Sequence, residues 1–343
     1  MILTFLAGAE LESEVIKAYW KESLVLGFIG FLVPFLGAWL VTQFLLGWGL
    51  RQAQLAGIAL STTSVAVVYA MMIESGLNER PLGKLILAAC FVNDLGTVIA
   101  LGLLFAEIGF YFWLFAIVTA AIIFILPPIT KRYFALVNNH PSESEVKFIF
   151  VILCALAFLA VKGGSEAVLP AYLVGAVLAN LFLKNRELVK RLRASTIALL
   201  TPFYFLKAGS LVDLNAVLGS LGVLVVLFLA KTVSKFLGLY PAGMLFKFTP
   251  RINMYNTLLM STGLTFGTIS ALYGLRNGII DKTHYSLLVV TIILTAIIPT
   301  LIAQSFSIQK RKTLRGLRKR PKIGGKACLK KSSSVMMAMK VRV

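Results

Sequence analysis

The sequence predicts an all-α, polytopic membrane protein, and three observations carry that class. The 343 residues are 58% hydrophobic and only 14% charged, whereas soluble domains carry about 25% charged residues. Mean hydropathy is +0.87. Apolar runs long enough to cross a bilayer as a helix, about 20 residues each, recur along the chain, and the short alternating segments of a membrane β-barrel do not appear.

The chain opens on "MILTFLAGAE", an apolar run too short to span. It lacks the basic n-region and cleavage site of a signal peptide, so it is expected to be a helix stub. About ten spans are expected after it, at 23–46, 51–74, 81–106, 109–128, 145–162, 165–183, 195–213, 215–239, 253–276 and 281–303.

Loop charges orient these spans. One side collects Lys17 and Lys21, Arg80 and Lys84, Lys131, Arg132 and Lys147, the group from Lys184 to Arg193, and Lys247 and Arg251. The other side has Arg51, Lys162, Arg276 and Lys282. The basic side is expected to be cytoplasmic. Residues 304–343 fall on the same side, with thirteen Lys/Arg and no Asp or Glu. This tail accounts for much of the net charge of +20. It is expected to be a disordered cytoplasmic tail lying against anionic lipid rather than a nucleic-acid-binding segment. Cys90 and Cys154 lie in apolar segments and Cys328 in the tail. Their odd count and irregular spacing suggest free thiols.

Two spans carry polar interruptions. In the span 51–74 it is Ser61, Thr62, Thr63 and Ser64, and in the span 253–276 it is Ser261, Thr262, Gly263, Thr265, Gly267 and Thr268. Small residues can reflect ordinary helix packing. A pair of such interruptions in corresponding halves points instead to discontinuous helices that form a midplane transport site between inverted repeats. Asp94 lies near the middle of the span 81–106, next to Asn93. A carboxylate at that depth is costly and marks an ion or proton path unless it pairs structurally. Three lysines are membrane-embedded candidates. Lys231 lies deep in its span, Lys235 one turn nearer the cytoplasm and able to snorkel, and Lys207 between Pro202 and Gly209. Glu166 starts a span, and His140 and His284 lie near span ends with no catalytic motif around them, so no enzyme activity and no cofactor is expected.

The stretches "LAGIALSTTSVAVVYA", "PLGKLILAACFVNDLGTVIALGLLF" and "LMSTGLTFGTISALYGL" together resemble the monovalent cation:proton antiporters, second branch, relatives of Kef-type and sodium/proton exchangers. "FLAGAELE" resembles the cytoplasmic end of that family's third helix, so about two N-terminal helices are expected to be missing from residues 1–303, the exchanger domain. The resemblance implies two broken helices crossing at the bilayer centre. It implies that Asp94 binds either a monovalent cation (Na⁺, K⁺ or Li⁺) or a proton. Thr62 and Thr63 would offer oxygen ligands to that cation, with Asn93 and Ser64 beside them, and Lys231 would be the family's embedded lysine. It also implies a homodimer in a prokaryotic inner membrane, and no nucleic-acid partner. The chain departs from the electrogenic members in having Asn93 where they have a first acid, which predicts electroneutral exchange. It also lacks a G-x-G-x-x-G nucleotide-binding segment in its tail. A cation channel and a non-transporting fragment are the rival readings.

Overall fold

The structure is a computed structural model and describes residues 2–9, 20–75, 77, 81–105, 110–137, 143–162, 168–184, 186–196, 198 and 201–306. His140, Glu166, Cys328 and the tail from residue 307 lie outside the described residues.

Every regular element among the described residues is helical. The elements are α1 (Ile2–Ala9), α2 (Trp20–Leu40), α3 (Leu50–Ser61), α4 (Val65–Ser75), α5 (Pro81–Phe105), α6 (Phe110–Val137), α7 (Ser144–Lys162), α8 (Val168–Lys184), α9 (Arg186–Ser195), α10 (Thr201–Ser210), α11 (Leu214–Gly219), α12 (Leu221–Leu245), α13 (Pro250–Met260), α14 (Thr265–Arg276) and α15 (Lys282–Phe306). A π-turn over Val41–Leu45 extends α2.

Seven segments among the described residues are long and apolar enough to cross a membrane. They correspond to the expected spans 23–46, 51–74, 81–106, 109–128, 215–239, 253–276 and 281–303. The three remaining expected spans fall on α7, α8 and α10, which are not among those seven. The described part of α10 has ten residues and gives way to a turn at Leu211.

Helix α12 is apolar on its outer face and carries polar residues on its buried one. On α12 the residues Leu221, Val225, Leu229, Val233 and Leu237 recur every fourth position, each at least 50% exposed. The opposite face buries Lys231, Ser234 and Lys235. In water so long an exposed apolar stripe would be a liability; against lipid it is the outer surface of the protein.

Two large apolar clusters form among the described residues. One joins α2, α3, α5, α12, α14 and α15 and includes Phe31, Leu55, Leu60, Leu227 and Tyr285. The other joins α1, α6, α7, α8 and α9 through Phe5, Leu153, Phe182 and Leu192. In the second cluster α1 lies directly on α8, because Gly8 faces the Tyr172 carbonyl and Gly175 faces the Phe5 carbonyl with no room for a Cβ on either. Val98, Tyr172 and Phe266 pack together where α8 meets α5 and α14.

Candidate functional site

The site starts from two interruptions of helical hydrogen bonding. The first broken helix ends its α3 half at Ser61 and resumes at Val65, with Thr62 extended at φ −62°, ψ 153°. The second ends its α13 half at Met260 and resumes at Thr265. Each break frees backbone donors and acceptors, which cannot be left unmatched in a membrane. The two breaks satisfy one another. The Ser64 N–H donates to the Thr262 carbonyl at 2.9 Å, and the Thr63 hydroxyl donates to the Met260 carbonyl at 2.9 Å.

Glycines allow this approach. A Cβ on Gly263 would collide with the Lys231 amine and lie 2.7 Å from Thr62 Oγ1, and one on Gly267 would lie 2.8 Å from the Ala59 carbonyl. The remaining hydroxyls turn back onto their own helices. Thr62 donates to the Ala59 carbonyl at 3.0 Å, Ser261 to that of Thr257 at 2.7 Å and Thr262 to that of Leu259 at 2.7 Å. Ser64 Oγ is buried and has no hydrogen-bond partner among the described residues.

Helix α5 runs beside the first break. Asn93 is fully buried and its Nδ2 donates to the Ser61 carbonyl at 3.3 Å, one of the acceptors freed where α3 ends. An amide can make that bond; an ionised carboxylate only accepts. The asparagine therefore has a structural task that an aspartate in its place would not perform. Asp94 is 1% exposed and its Oδ1 has no hydrogen-bond partner among the described residues. The charged group acting on it is the Lys235 ammonium.

Lys235 does not snorkel. It is fully buried, and its Nζ donates to the Gly30 carbonyl at 2.8 Å and to Thr63 Oγ1 at 3.0 Å. The cause lies in α2. Pro34 sits inside that helix and has no N–H to give to the carbonyl four residues earlier, which is that of Gly30. The proline leaves an acceptor free in the interior, and the lysine takes it. Pro34 and Gly30 are site residues that sequence reading missed; a proline in the middle of an apolar span was the available signal.

Lys231, one turn earlier, is also fully buried, with its amine packed against Gly263 and without a hydrogen-bond partner among the described residues. Lys207 lies on the exposed side of α10 along with Phe203 and Leu206, while the residues of both breaks up to Gly263 are buried. Thr265 is half-buried, at the start of α14. The structure thus brings together Asn93, Thr62, Thr63, Ser261, Thr262, Gly263, Lys231 and Lys235 around the crossing, with Ser64 in its backbone and Asp94 within the field of Lys235. Lys207 is left outside.

The sodium/hydrogen exchanger, transmembrane, family model matches residues 1–307. A probable Na⁺/H⁺ antiporter 3 of Methanocaldococcus jannaschii is 24% identical, covering 90% of this chain and 82% of that protein. A Na⁺/H⁺ antiporter of Enterococcus hirae is 23% identical, with the same two coverages, 90% and 82%. Cation/H⁺ antiporter 19 of Arabidopsis thaliana is 26% identical over 88% of this chain but only 40% of its own length. Among solved structures, the sodium proton antiporter MjNhaP1 of M. jannaschii at pH 8 superimposes with a TM-score of 0.62, at 15% identity, over 91% of this chain and 84% of that one.

Proposed function

Because the chain belongs to the sodium/hydrogen exchanger, transmembrane, family, we propose that it exchanges a monovalent cation for protons across a membrane, with Asp94 as the group that holds either one. One observation carries this reading: a buried carboxylate oxygen without a hydrogen-bond partner among the described residues, next to a crossing of two broken helices rich in oxygen atoms. Protonated, Asp94 offers no charge to a cation. Ionised, it binds one along with oxygens of Thr62 or Thr63, and the proton has left. The empty ionised site is the costly form to move through the barrier, so the loaded forms cross, and the two gradients are coupled. Na⁺ is the first candidate, in keeping with the names of the relatives; K⁺ and Li⁺ present the same hard charge to oxygen ligands.

The cycle is electroneutral. Asp94 with bound cation and Asp94 with bound proton carry equal charge, provided Lys231 and Lys235 keep theirs, and Asn93 adds no second titratable group. The basic loops support a cytoplasmic C-terminus in a prokaryotic inner membrane, and the exchanger operates there as a homodimer in contact with lipid.

The test uses the purified protein in vesicles with an acidic interior. Na⁺, K⁺ or Li⁺ added outside should discharge the pH gradient, Asp94→Asn should abolish the response, and a valinomycin-clamped potential should leave the rate unchanged. No response to any of the three cations, or near-normal exchange by Asp94→Asn, overturns the reading. A strong voltage dependence overturns only the electroneutral part.

A further inference from the structure

Many buried hydroxyls among the described residues share one arrangement. Thr42, Ser61, Thr62, Thr97, Ser261, Thr262, Ser270 and Thr291 all donate to a carbonyl three or four residues back, which satisfies a polar side chain inside an apolar bundle. Thr257 does not, and neither do Ser23, Ser64, Thr119 and Thr130. Thr257 is fully buried, and its Oγ1 has no hydrogen-bond partner among the described residues. Asn256, the preceding residue, is also fully buried, and both ends of its amide, Oδ1 and Nδ2, are unmatched as well.

Three unmatched polar atoms on adjacent residues make an expensive arrangement, since each buried polar group without a partner costs stability. The neighbouring Asn253 is matched at one end: its Nδ2 donates to the Tyr240 carbonyl at 2.7 Å, which ties α13 to α12, while its Oδ1 has no hydrogen-bond partner among the described residues. The side chains of Asn256 and Thr257 make no such bond among the described residues. They lie on α13 four and three residues before Met260, about 4.5–6 Å along the helix axis at 1.5 Å per residue, and the Met260 carbonyl is the one that Thr63 binds at the crossing. Helix α13 packs there among α12, α15 and α4.

We propose that Asn256 and Thr257 form a second, uncharged site for a monovalent cation, a transit site on the Pro250 side of the crossing. This rests on the exchange reading above. The amide oxygen and the hydroxyl oxygen are hard ligands of the kind such an ion takes in exchange for part of its water shell, and the amide Nδ2 donates to a water that the ion retains. Without a carboxylate the site binds weakly, which a transit site requires: ions must enter it and leave it. By the loop charges it lies in the cytoplasmic half, so a cation from that side meets it before Asp94.

Two measurements test this. In vesicles, Thr257→Val removes the hydroxyl and keeps the shape. It should raise the KM for Na⁺ roughly fivefold, the worth of about one hydrogen bond, with the loss in KM rather than kcat, and Thr257→Ser should restore it. An unchanged KM in a Thr257→Val protein with the parental Tm overturns the site, as does a lowered Tm with KM unchanged, which would mark a purely structural residue. The second measurement needs no transport. In detergent, NaCl compared with choline chloride should still raise the Tm of Asp94→Asn, and should no longer do so once Asn256→Ala and Thr257→Val are added. No Na⁺ response in Asp94→Asn, or an equal response in both proteins, leaves only ordered water at these residues and overturns the cation site. If the parent protein fails to exchange any cation while this thermal response is present, the exchange reading fails and the site stands.

Discussion

Residues 61–64, in the first broken helix, are Ser-Thr-Thr-Ser; residues 261–264, in the second, are Ser-Thr-Gly-Leu. The first break lacks glycine and contributes groups: the Thr63 hydroxyl, the Ser64 N–H, and a Ser61 carbonyl taken by Asn93. The second contributes space, since Gly263 and Gly267 stand where any Cβ would meet Thr62. The helices behind the breaks differ in the same way. Behind the first is α5 with an acid, Asp94; behind the second is α12 with two buried bases, Lys231 and Lys235. Two halves built on one plan have divided the chemistry, and the site exists only where they meet.

The largest effect expected from disturbing that division is at Gly263. A methyl group there must displace the Lys231 amine and crowd both Thr62 Oγ1 and the Thr62 carbonyl, at 2.7 and 2.9 Å. The flexible lysine can yield, but the Thr62 backbone is fixed by the crossing. Gly263→Ala should slow exchange about a hundredfold, as misplacement by about an ångström does in other sites, at an overpacking cost of about 1–3 kcal/mol. Near-parental exchange would show that the close approach of the halves is dispensable.

A smaller effect of unusual sign is expected at Pro34. Pro34→Ala restores a helical N–H that competes with Lys235 for the Gly30 carbonyl. Exchange should fall several-fold, in line with about 1 kcal/mol for one hydrogen bond. The Tm should hold or rise, because a proline inside a helix is unfavourable. Loss of stability with unchanged exchange would mean that the proline serves only to shape α2.

The smallest effect lies far from the crossing, at the start of α15. The Asp281 Oδ1 accepts from the His284 backbone N–H and meets its ring nitrogen, both at 2.7 Å, and the Trp48 ring stands edge-on to His284 with centroids 4.2 Å apart. Partial burial pushes the Asp281 carboxyl up, but the N–H and ring of His284 outweigh it and hold the carboxyl below the usual range. A lowered folded value means that the stabilisation is complete above the unfolded value of about 4 and is lost as pH falls through the folded one. Asp281→Ala should lower stability by about 1 kcal/mol, as removal of a helix N-cap does, at neutral pH and not in strong acid. Exchange should be unaffected. A cost that is independent of pH would contradict this.

How much of this was legible in the sequence depends on the range of the interaction. The seven long spans follow from apolar runs, and both breaks from local Ser, Thr and Gly content, because a helix is interrupted by residues within a turn of the interruption. Asp94 stood out because a carboxylate has no routine place in hydrocarbon. The environment of Lys235 was not legible. Its acceptor is a carbonyl 205 residues away, freed by a proline on a third helix, and without that partner the snorkelling reading was the reasonable one. The pairing of Ser64 with Thr262 is hidden for the same reason, since neither residue's neighbours announce it.

The central claim is that cation and proton contend for one carboxylate, and the pH dependence of the cation KM tests it most directly. Initial rates of Na⁺-driven proton release from vesicles should be measured against Na⁺ concentration at a series of pH values. The account predicts that, on the acid side, KM for Na⁺ rises about tenfold for each unit that pH falls, as reciprocal linkage requires for one proton displaced per cation, while saturating Na⁺ restores the full rate. A KM that stays constant with pH while the maximal rate alone changes would contradict it, because cation and proton would then occupy different groups.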